Sequence, residues 1–300
     1  MDLWIAVTLS AAFFQTLRFM LHKVLSTGAL SSTGSTFARF AYASPGALLV
    51  VGGYLVWTGQ DWPHLTPAFW AYAMMGALGQ ILATIFVVML FQQRNFAVGI
   101  TFKKTEVIQT ALVGLAILGE NLSAAGWGAI LVGLVGVLLL SETPGLSGNW
   151  LRRMATRSVA LGLASGFFFA FSGVGYRGAS LQIASDAPFL RAGVTLVCVT
   201  LSQSLAMALW LRLVEPGQIT AVWAARRRAI WLGLASMAGS LSWFTAFTLQ
   251  TAAYVQALGQ VELVFSLMAS VLFFHERITR RELVGIGVLS LSVLILVLVL

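Results

Sequence analysis

Two glutamates stand out in this chain because each lies deep inside a long apolar run. Glu106 and Glu262 are the only ones of its ten acidic residues placed well within such a run. At a helical rise of 1.5 Å per residue, each would lie about 12–14 Å from its helix start, near the middle of a bilayer core of roughly 30 Å. An ionised side chain there is costly, so it must face a protein interior or a water-filled cavity. Carboxylates in such a place can couple transport to protons or bind a substrate ammonium group.

Other polar residues share the spans with these glutamates. Lys103 lies three residues before Glu106, so the two can pair, or Lys103 can bind a substrate carboxylate. The remaining candidates for substrate binding or coupling are Thr110, Gln80, Trp243, Gln256, Gln260 and Ser266. Trp243 is included because it lies in mid-span rather than at a helix end, which makes it a candidate cavity wall.

A structural interpretation of the same residues stays open. Each glutamate could be a buried polar lock between helices, satisfied by Gln, Ser or Lys partners. Lys103 and Lys104 could simply snorkel to the membrane interface. Arg18, Arg39 and Arg191 also lie within or at the edge of predicted spans. Arg39 and Arg191 match one another across the two halves of the chain, so they could form a gate or lie at the bilayer edge, but snorkelling is the favoured interpretation.

The elements that would position these side chains are membrane helices. Hydrophobic residues make up 59% of the 300 residues and charged residues only 9%, whereas a soluble domain carries roughly 25% charged residues. Apolar runs long enough to span a bilayer predict ten helices, near residues 3–24, 35–57, 67–91, 97–118, 124–141, 158–178, 188–213, 229–250, 254–275 and 282–300. The predicted fold class is an all-α integral membrane protein. The net charge of +8 does not indicate a nucleic-acid binder, because the basic residues lie mainly between apolar runs.

The distribution of Lys and Arg orients the helices. Twelve of these residues lie in or beside connections 1–2, 3–4, 5–6, 7–8 and 9–10, and only Arg177 lies clearly on the other side. The end of the helices with these connections is called the basic end below. The positive-inside rule places the basic end in the cytoplasm. The prediction is a multi-pass protein of the plasma (inner) membrane with both termini on the non-cytoplasmic side.

The chain also repeats itself. Residues 91–140 align with residues 247–296 without a gap at a constant offset of 156, so that Glu106 falls on Glu262. Each half holds five predicted helices, and an odd number forces the second half to insert upside down relative to the first. Two inverted five-helix repeats are therefore predicted, with the first at 1–141, a cytoplasmic linker at 142–157 and the second at 158–300.

No catalytic group, metal site or cofactor is predicted. His22, His64 and His275 are far apart in sequence, and the single Cys198 lies in an apolar run. Residues 173–178 satisfy the pattern G-x-G-x-x-G but end a membrane helix, whereas a dinucleotide site requires this pattern between a strand and a helix. The predicted partners are a small-molecule substrate and membrane lipid, without nucleic acid, and the protein is expected to be a monomer or homodimer.

The ends of the two halves resemble the drug/metabolite transporter superfamily of the EamA type. Residues 118–122 (LGENL) precede a glycine-rich helix, and residues 273–278 (FFHERI) precede a helix with Gly285 and Gly287. The resemblance covers the whole chain. It implies a ten-helix carrier with a central cavity between two four-helix bundles and with the fifth and tenth helices at the periphery. It also implies proline bends in the fourth and ninth helices, where this chain has no proline.

Together these features predict a secondary active transporter, either an exporter or an exchanger. It would move a small metabolite such as an amino acid or amine by alternating access about a midplane site. An uncoupled facilitator and a lipid flippase of the same fold are the alternatives within transport. Two alternatives from other classes are disfavoured. A membrane enzyme would need a convergent His, Asp or Cys cluster, which the sequence lacks. A structural membrane subunit would not require two matched intramembrane acids.

Overall fold

The computed structural model describes residues 2–26, 28, 30–92, 103–140, 157–265, 268 and 280–299. Within these ranges all regular secondary structure is helical: α1 (Leu3–Ser26), α2 (Ser32–Thr58), α3 (Pro67–Phe91), α4 (Glu106–Leu118), α5 (Ala124–Leu140), α6 (Arg157–Leu181), α7 (Pro188–Val214), α8 (Gln218–Ala224), α9 (Arg226–Leu249), α10 (Ala252–Gly259) and α11 (Arg280–Val299). Six of them, α1, α2, α3, α6, α7 and α9, are long and apolar enough to cross a membrane, and α4, α5 and α11 contain shorter apolar helices. The chain is therefore a multi-pass helical membrane protein. The number of ten spans stays a prediction.

Local sequence signals set several helix ends. The Ser31 hydroxyl accepts a hydrogen bond of 2.9 Å from the main-chain N–H of Gly34, which caps the start of α2. Gly59 and Gly119 end α2 and α4 in the left-handed conformation, with φ of 65° and 67°. The serine cap explains why α2 begins a few residues before the predicted start at 35.

Helices of the first half pack against helices of the second in an exchanged pattern. α3 packs along α6 and α1 along α9, while α2 packs against α7 and α5 against α11. If each helix is exchanged for its equivalent in the other half, the α3–α6 pair becomes the α9–α1 pair. The α2–α7 and α5–α11 pairs each become themselves. This is the packing that two repeats would produce. The repeat boundaries stay predictions, because nearly all of the linker at 142–157 lies outside the described residues.

Glycines bring α3 and α6 into backbone contact. A methyl group added to Gly175 would lie 2.7 Å from the main-chain nitrogen of Gly76, and one added to Gly79 would lie 2.8 Å from the carbonyl oxygen of Phe168. Membrane helices gain van der Waals contact in this way, because lipid provides no hydrophobic force between them. The pair forms a fixed wall that holds side chains from both halves beside one another.

α5 and α11 form a separate pair and pack mainly on each other. The Ser292 hydroxyl donates a hydrogen bond of 2.7 Å to the carbonyl of Ala129, and Gly136 lies against the backbone of Leu289. The described parts of the fifth and tenth predicted spans are thus peripheral, as the resemblance implied.

The fourth and ninth predicted spans are interrupted at matching positions. Residues 104–105 form a turn immediately before α4 begins at Glu106, and residues 260–261 form a turn after α10, with helix resuming at 262–265. The offset between the two turns is the 156 residues of the repeat. The prediction of continuous helices at 97–118 and 254–275 is therefore wrong at these two turns. Hydrogen bonds between residues three apart, such as Val261 N–H to the Leu258 carbonyl (3.1 Å), tighten the backbone there without a proline.

Candidate functional site

A narrow cavity lies between the two halves of the chain. It is bordered by α1, α3, α6, α9, α10 and the segment that begins α4. The cavity has a volume of about 30 Å³. That is room for about one or two ordered waters, so a metabolite enters only if the helices move apart. The polar lining consists of Gln15, Arg18, Gln80, Lys103, Glu106, Ser172, Ser240 and Gln256.

An aromatic wall completes this cavity. The Trp243 ring stacks on Phe247 with ring centroids 5.6 Å apart, and Tyr176 lies against Phe244 at 4.2 Å. Trp243 thus lines the cavity, where its mid-span position suggested it would lie. Aromatic faces of this kind suit the apolar part of a small metabolite.

Glu106 forms an ion pair with Lys103 at the start of α4. The Lys103 ammonium lies 3.1 Å from Glu106 Oε1 and 3.0 Å from Oε2. Because the two residues are three apart, the pair moves as a unit with its own segment. The Lys103 ammonium also lies 4.9 Å from the centre of the Phe169 ring. The lysine is 1% exposed, so its predicted snorkelling is wrong.

Glu262 is held by partners from the other half. The Lys104 ammonium and the Gln15 amide both donate to its carboxylate, and the Thr16 hydroxyl lies 3.4 Å from its main-chain carbonyl. Lys104 is 2% exposed, so snorkelling is wrong for this lysine as well. The acid therefore joins α1, the segment before α4 and the helical turn after α10.

Gln15 connects Glu262 to the cavity. Its side-chain oxygen accepts hydrogen bonds from Arg18 Nη2 at 2.7 Å and from Trp243 Nε1 at 3.1 Å. Its amide nitrogen donates to Glu262, so both ends of the side chain are used. A change at Glu262 can thus reach two cavity residues through a single amide.

A second polar network lies on the α3–α6 wall. The Tyr176 hydroxyl donates to Gln80 Oε1 at 2.9 Å. Gln203 Nε2 donates to the Tyr176 hydroxyl at 3.1 Å and to the Ala77 carbonyl at 3.0 Å. The network fixes the side chain of Gln80 at the cavity surface, where it was predicted to contribute.

The predicted site residues have different positions relative to the cavity. Five of them line it: Gln80, Lys103, Glu106, Trp243 and Gln256. Glu262 is one hydrogen bond away through Gln15.

Two predicted residues, Thr110 and Gln260, lie away from the cavity lining. The Thr110 hydroxyl donates to the Glu106 carbonyl of its own helix at 2.7 Å. Gln260 lies with Lys104 at a separate small pocket, and its amide nitrogen lies 3.3 Å from the Gln256 carbonyl. Gln260 thereby satisfies a carbonyl at the interruption of the ninth span. Ser266 lies outside the described residues.

Two arginines were missed as site residues. Arg18 lines the cavity and is 2% exposed. Arg39 is 1% exposed and donates from Nη1 to the Thr84 hydroxyl at 2.8 Å, so its predicted snorkelling is wrong. A signal was present in the sequence, since both cations lie within predicted spans, but the aliphatic stem of arginine makes snorkelling a sufficient alternative.

The motif after α4 forms a second contact between the halves. Gly119 ends α4 in the left-handed conformation, and Glu120 then accepts from Arg177 of α6. Arg177 Nη1 also donates to the carbonyls of Phe247 and Gln250, each at 2.6 Å. This cluster lies at the end of the helices opposite the basic end. The equivalent motif around Glu276 lies outside the described residues.

Known proteins share the fold and the sequence pattern. The model of the EamA-like transporter family matches residues 156–298. A solved crystal structure is similar to this chain with a TM-score of 0.70 and 16% identity, covering 97% of this chain and 99% of that one, which shows a shared fold. No curated protein gives a significant match. The resemblance drawn from the end-of-half motifs is thereby confirmed over residues 156–298, which match the EamA-like transporter family and are consistent with a member of the drug/metabolite transporter superfamily.

Proposed function

We propose that this protein is a secondary active transporter, an exporter or exchanger, that moves a small metabolite such as an amino acid or amine by alternating access. The observation that carries the proposal is the cavity between the halves, with ion pairs that cross from one half to the other. Lys104–Glu262 crosses beside the cavity, and Glu120–Arg177 crosses at the end opposite the basic end. If the halves rock against one another, such contacts must break and form in turn.

The Lys104–Glu262 pair gives this motion a connection to protons. Separating the halves there would leave a carboxylate without its ammonium partner in apolar surroundings, which is strongly unfavourable. Proton uptake by Glu262 removes the part of this cost that belongs to the carboxylate. Proton binding and separation of the halves then favour each other, and this mutual dependence is what a proton-coupled exporter or exchanger requires.

The cavity offers a group for each part of an amino acid. Arg18 and Lys103 are cations for the carboxylate, and Glu106 is an anion for the ammonium group. The aromatic wall around Trp243 suits an apolar side chain.

Flux measurements on purified protein in liposomes test the function. Labelled amino acids and amines are loaded, and a pH gradient is imposed. We expect substrate flux to follow the gradient in the unchanged protein and to lose this dependence in Glu262→Gln. Flux without pH dependence would instead indicate an uncoupled facilitator, and absence of flux for every amino acid and amine would refute the proposal.

We also propose that the basic end faces the cytoplasm of a plasma (inner) membrane, with both termini outside. The exposed Arg226, Arg227 and Arg228 at the start of α9 support this orientation. Epitope tags at either terminus should be accessible from outside intact cells. Tags that react only after the cells are opened would contradict the orientation.

A further inference from the structure

Buried charges around the cavity do not balance. Among the described residues four cations are fully buried, namely Arg18, Arg39, Lys103 and Lys104, but only two acids, Glu106 and Glu262. Each acid is already paired with a lysine. The two arginines have no acidic partner in the part of the chain that the structure describes. Because an uncompensated charge is unfavourable in a protein interior, two such charges favour an anionic ligand.

The two arginines lie at the same depth on the neighbouring helices α1 and α2. His22 Nδ1 and the Ser35 hydroxyl are 2.8 Å apart and join these helices. Arg18 is one turn from His22 on the same face of α1, and Arg39 is one turn from Ser35 on the same face of α2. Since α1 and α2 are antiparallel neighbours joined by a short connection, both arginines lie one turn farther from the basic end than the His22–Ser35 bond.

Each arginine keeps part of its guanidinium free. Arg18 Nη2 is bound to Gln15 and Arg39 Nη1 to Thr84, and these bonds orient the two planar groups. Arg18 Nε and Arg39 Nη2 are buried and have no hydrogen-bond partner among the described residues. Buried donors are almost always satisfied, so these N–H groups point to an acceptor that a ligand supplies. The guanidinium fork fits a carboxylate or a phosphate through paired hydrogen bonds.

We propose that Arg18 and Arg39, the basic pair, bind the anionic group of the substrate, and that the substrate class is therefore small organic anions. The shared chemistry is that of a carboxylate or a phosphate. The inference rests on the proposed transport function and sharpens it: an amino acid qualifies through its carboxylate, whereas a simple amine does not. An amine would have to displace a lysine from Glu106 or Glu262. Arg18 lines the cavity, so the anionic group reaches the basic pair from there.

Thermal unfolding of the purified full chain tests the substrate class with four ligands. These are leucine, its deaminated acid isocaproate, its decarboxylated amine isoamylamine, and inorganic phosphate, all at constant chloride. A ligand that binds the folded state raises the unfolding temperature as its concentration rises. We expect stabilisation by isocaproate and leucine, or by phosphate, and none by isoamylamine. A larger effect of phosphate than of isocaproate would identify a phosphate-bearing substrate. Equal stabilisation by isoamylamine and isocaproate, or no stabilisation by any anion, would overturn the proposal.

Charge-neutral variants test the residues. Arg18→Gln and Arg39→Gln should each weaken binding of the stabilising anion by about tenfold or more, because each removes a charge-assisted contact. Arg212→Gln is the matched control, since it makes the same charge change at an exposed position near the end of α7 and should bind as the unchanged protein does. If Arg18→Gln does not fold, Arg18→Lys can be used instead. It keeps the positive charge but lacks the paired N–H donors of the guanidinium group, so it should still weaken anion binding. Unaltered anion binding in the basic-pair variants would contradict the assignment.

Glu106→Gln separates an anion site from an amine site. The change leaves the charge of Lys103 unpaired, so isocaproate or phosphate, which have no ammonium group, should bind at least as tightly as before. Leucine and an amine would instead lose the counter-charge of their ammonium group. Loss of isocaproate and phosphate binding in Glu106→Gln overturns the inference.

The same proteins in liposomes separate the two proposals. Anions that bind but are not moved would refute the transport function and leave the anion site standing. Flux of isoamylamine alone would uphold transport and overturn the anion site.

Discussion

Glu106 and Glu262 occupy equivalent positions of the two halves, yet their charges are compensated in different ways. Glu106 pairs with a lysine of its own segment, Lys103, at 3.0 Å. Glu262 pairs with Lys104, which is 158 residues away in the other half. The first pair moves with α4, whereas the second must break when the halves separate. In the proposed cycle Glu262 therefore responds to the movement of the halves, and Glu106 contributes to the cavity in every state.

The cause of the difference lies at one position. The residue that matches Lys103 in the repeat is Gly259, and its Cα lies against the Trp243 indole, so that even a methyl group would overlap the ring. No lysine fits there. Glu262 thus takes its counter-charge from the opposite half, and a local packing constraint becomes a contact between the repeats.

The largest expected effect is that of Glu262→Gln. The change leaves Lys104 buried without its partner, so we expect a loss of about 3–5 kcal/mol in the free energy of unfolding together with loss of pH-driven flux. Equilibrium unfolding in detergent measures the stability. The double variant Lys104→Met/Glu262→Gln should recover most of it, because both charges are then gone. A single variant as stable as the unchanged protein would show that the pair across the halves has no energetic role.

Glu106→Gln should have a smaller effect, a destabilisation of about 1–3 kcal/mol. Lys103 keeps its position over the Phe169 ring and borders a cavity with room for water. Flux should retain its dependence on the pH gradient even where its rate falls. If Glu106→Gln equals Glu262→Gln in both measurements, the distinction between the two acids is wrong.

Gly259→Ala tests the position that creates the difference. The added methyl group would displace the Trp243 ring, costing about 1–2 kcal/mol as overpacking does, and it should lower the flux rate and shift the tryptophan fluorescence. Gly287→Ala on α11 is the control, since a methyl group there meets no atom within 4 Å. Equal behaviour of the two variants would contradict the packing explanation.

The smallest effect on stability is expected for Arg177→Gln, about 1 kcal/mol, because Arg177 and Glu120 are partly exposed. The contact holds the halves together at the end opposite the basic end, so its loss should favour opening there. The thiol of the Ser172→Cys variant, in a background with Cys198→Ala, should then react faster with a polar reagent added from that side. An unchanged reaction rate would remove this contact from the proposed gating.

Several features could be predicted from the sequence because they depend on local composition or on fixed helical spacing. Apolar runs indicated the membrane helices, and the absence of other deeply placed acids singled out Glu106 and Glu262. The pairing of Lys103 with Glu106 could be expected from their spacing of three residues, although a turn at 104–105 separates Lys103 from α4. The constant offset of the repeat also relates the fourth predicted span to the ninth, because equivalent residues of two inverted halves lie at equal distances from the midplane on opposite sides.

Only the tertiary structure decided which distant residues meet. The Lys104–Glu262 pair, the role of Gln15 between Glu262 and Arg18, and the burial of Arg39 depend on how helices turn their faces toward one another. Hydropathy gives a residue's depth but not its facing direction, so a buried arginine and a snorkelling one look alike in sequence. The sequence by itself identified two acids at equivalent positions of a repeated helical membrane protein. Packing decided that one acid stays within its own segment and the other reaches across the halves, because the space beside Gly259 is filled by Trp243.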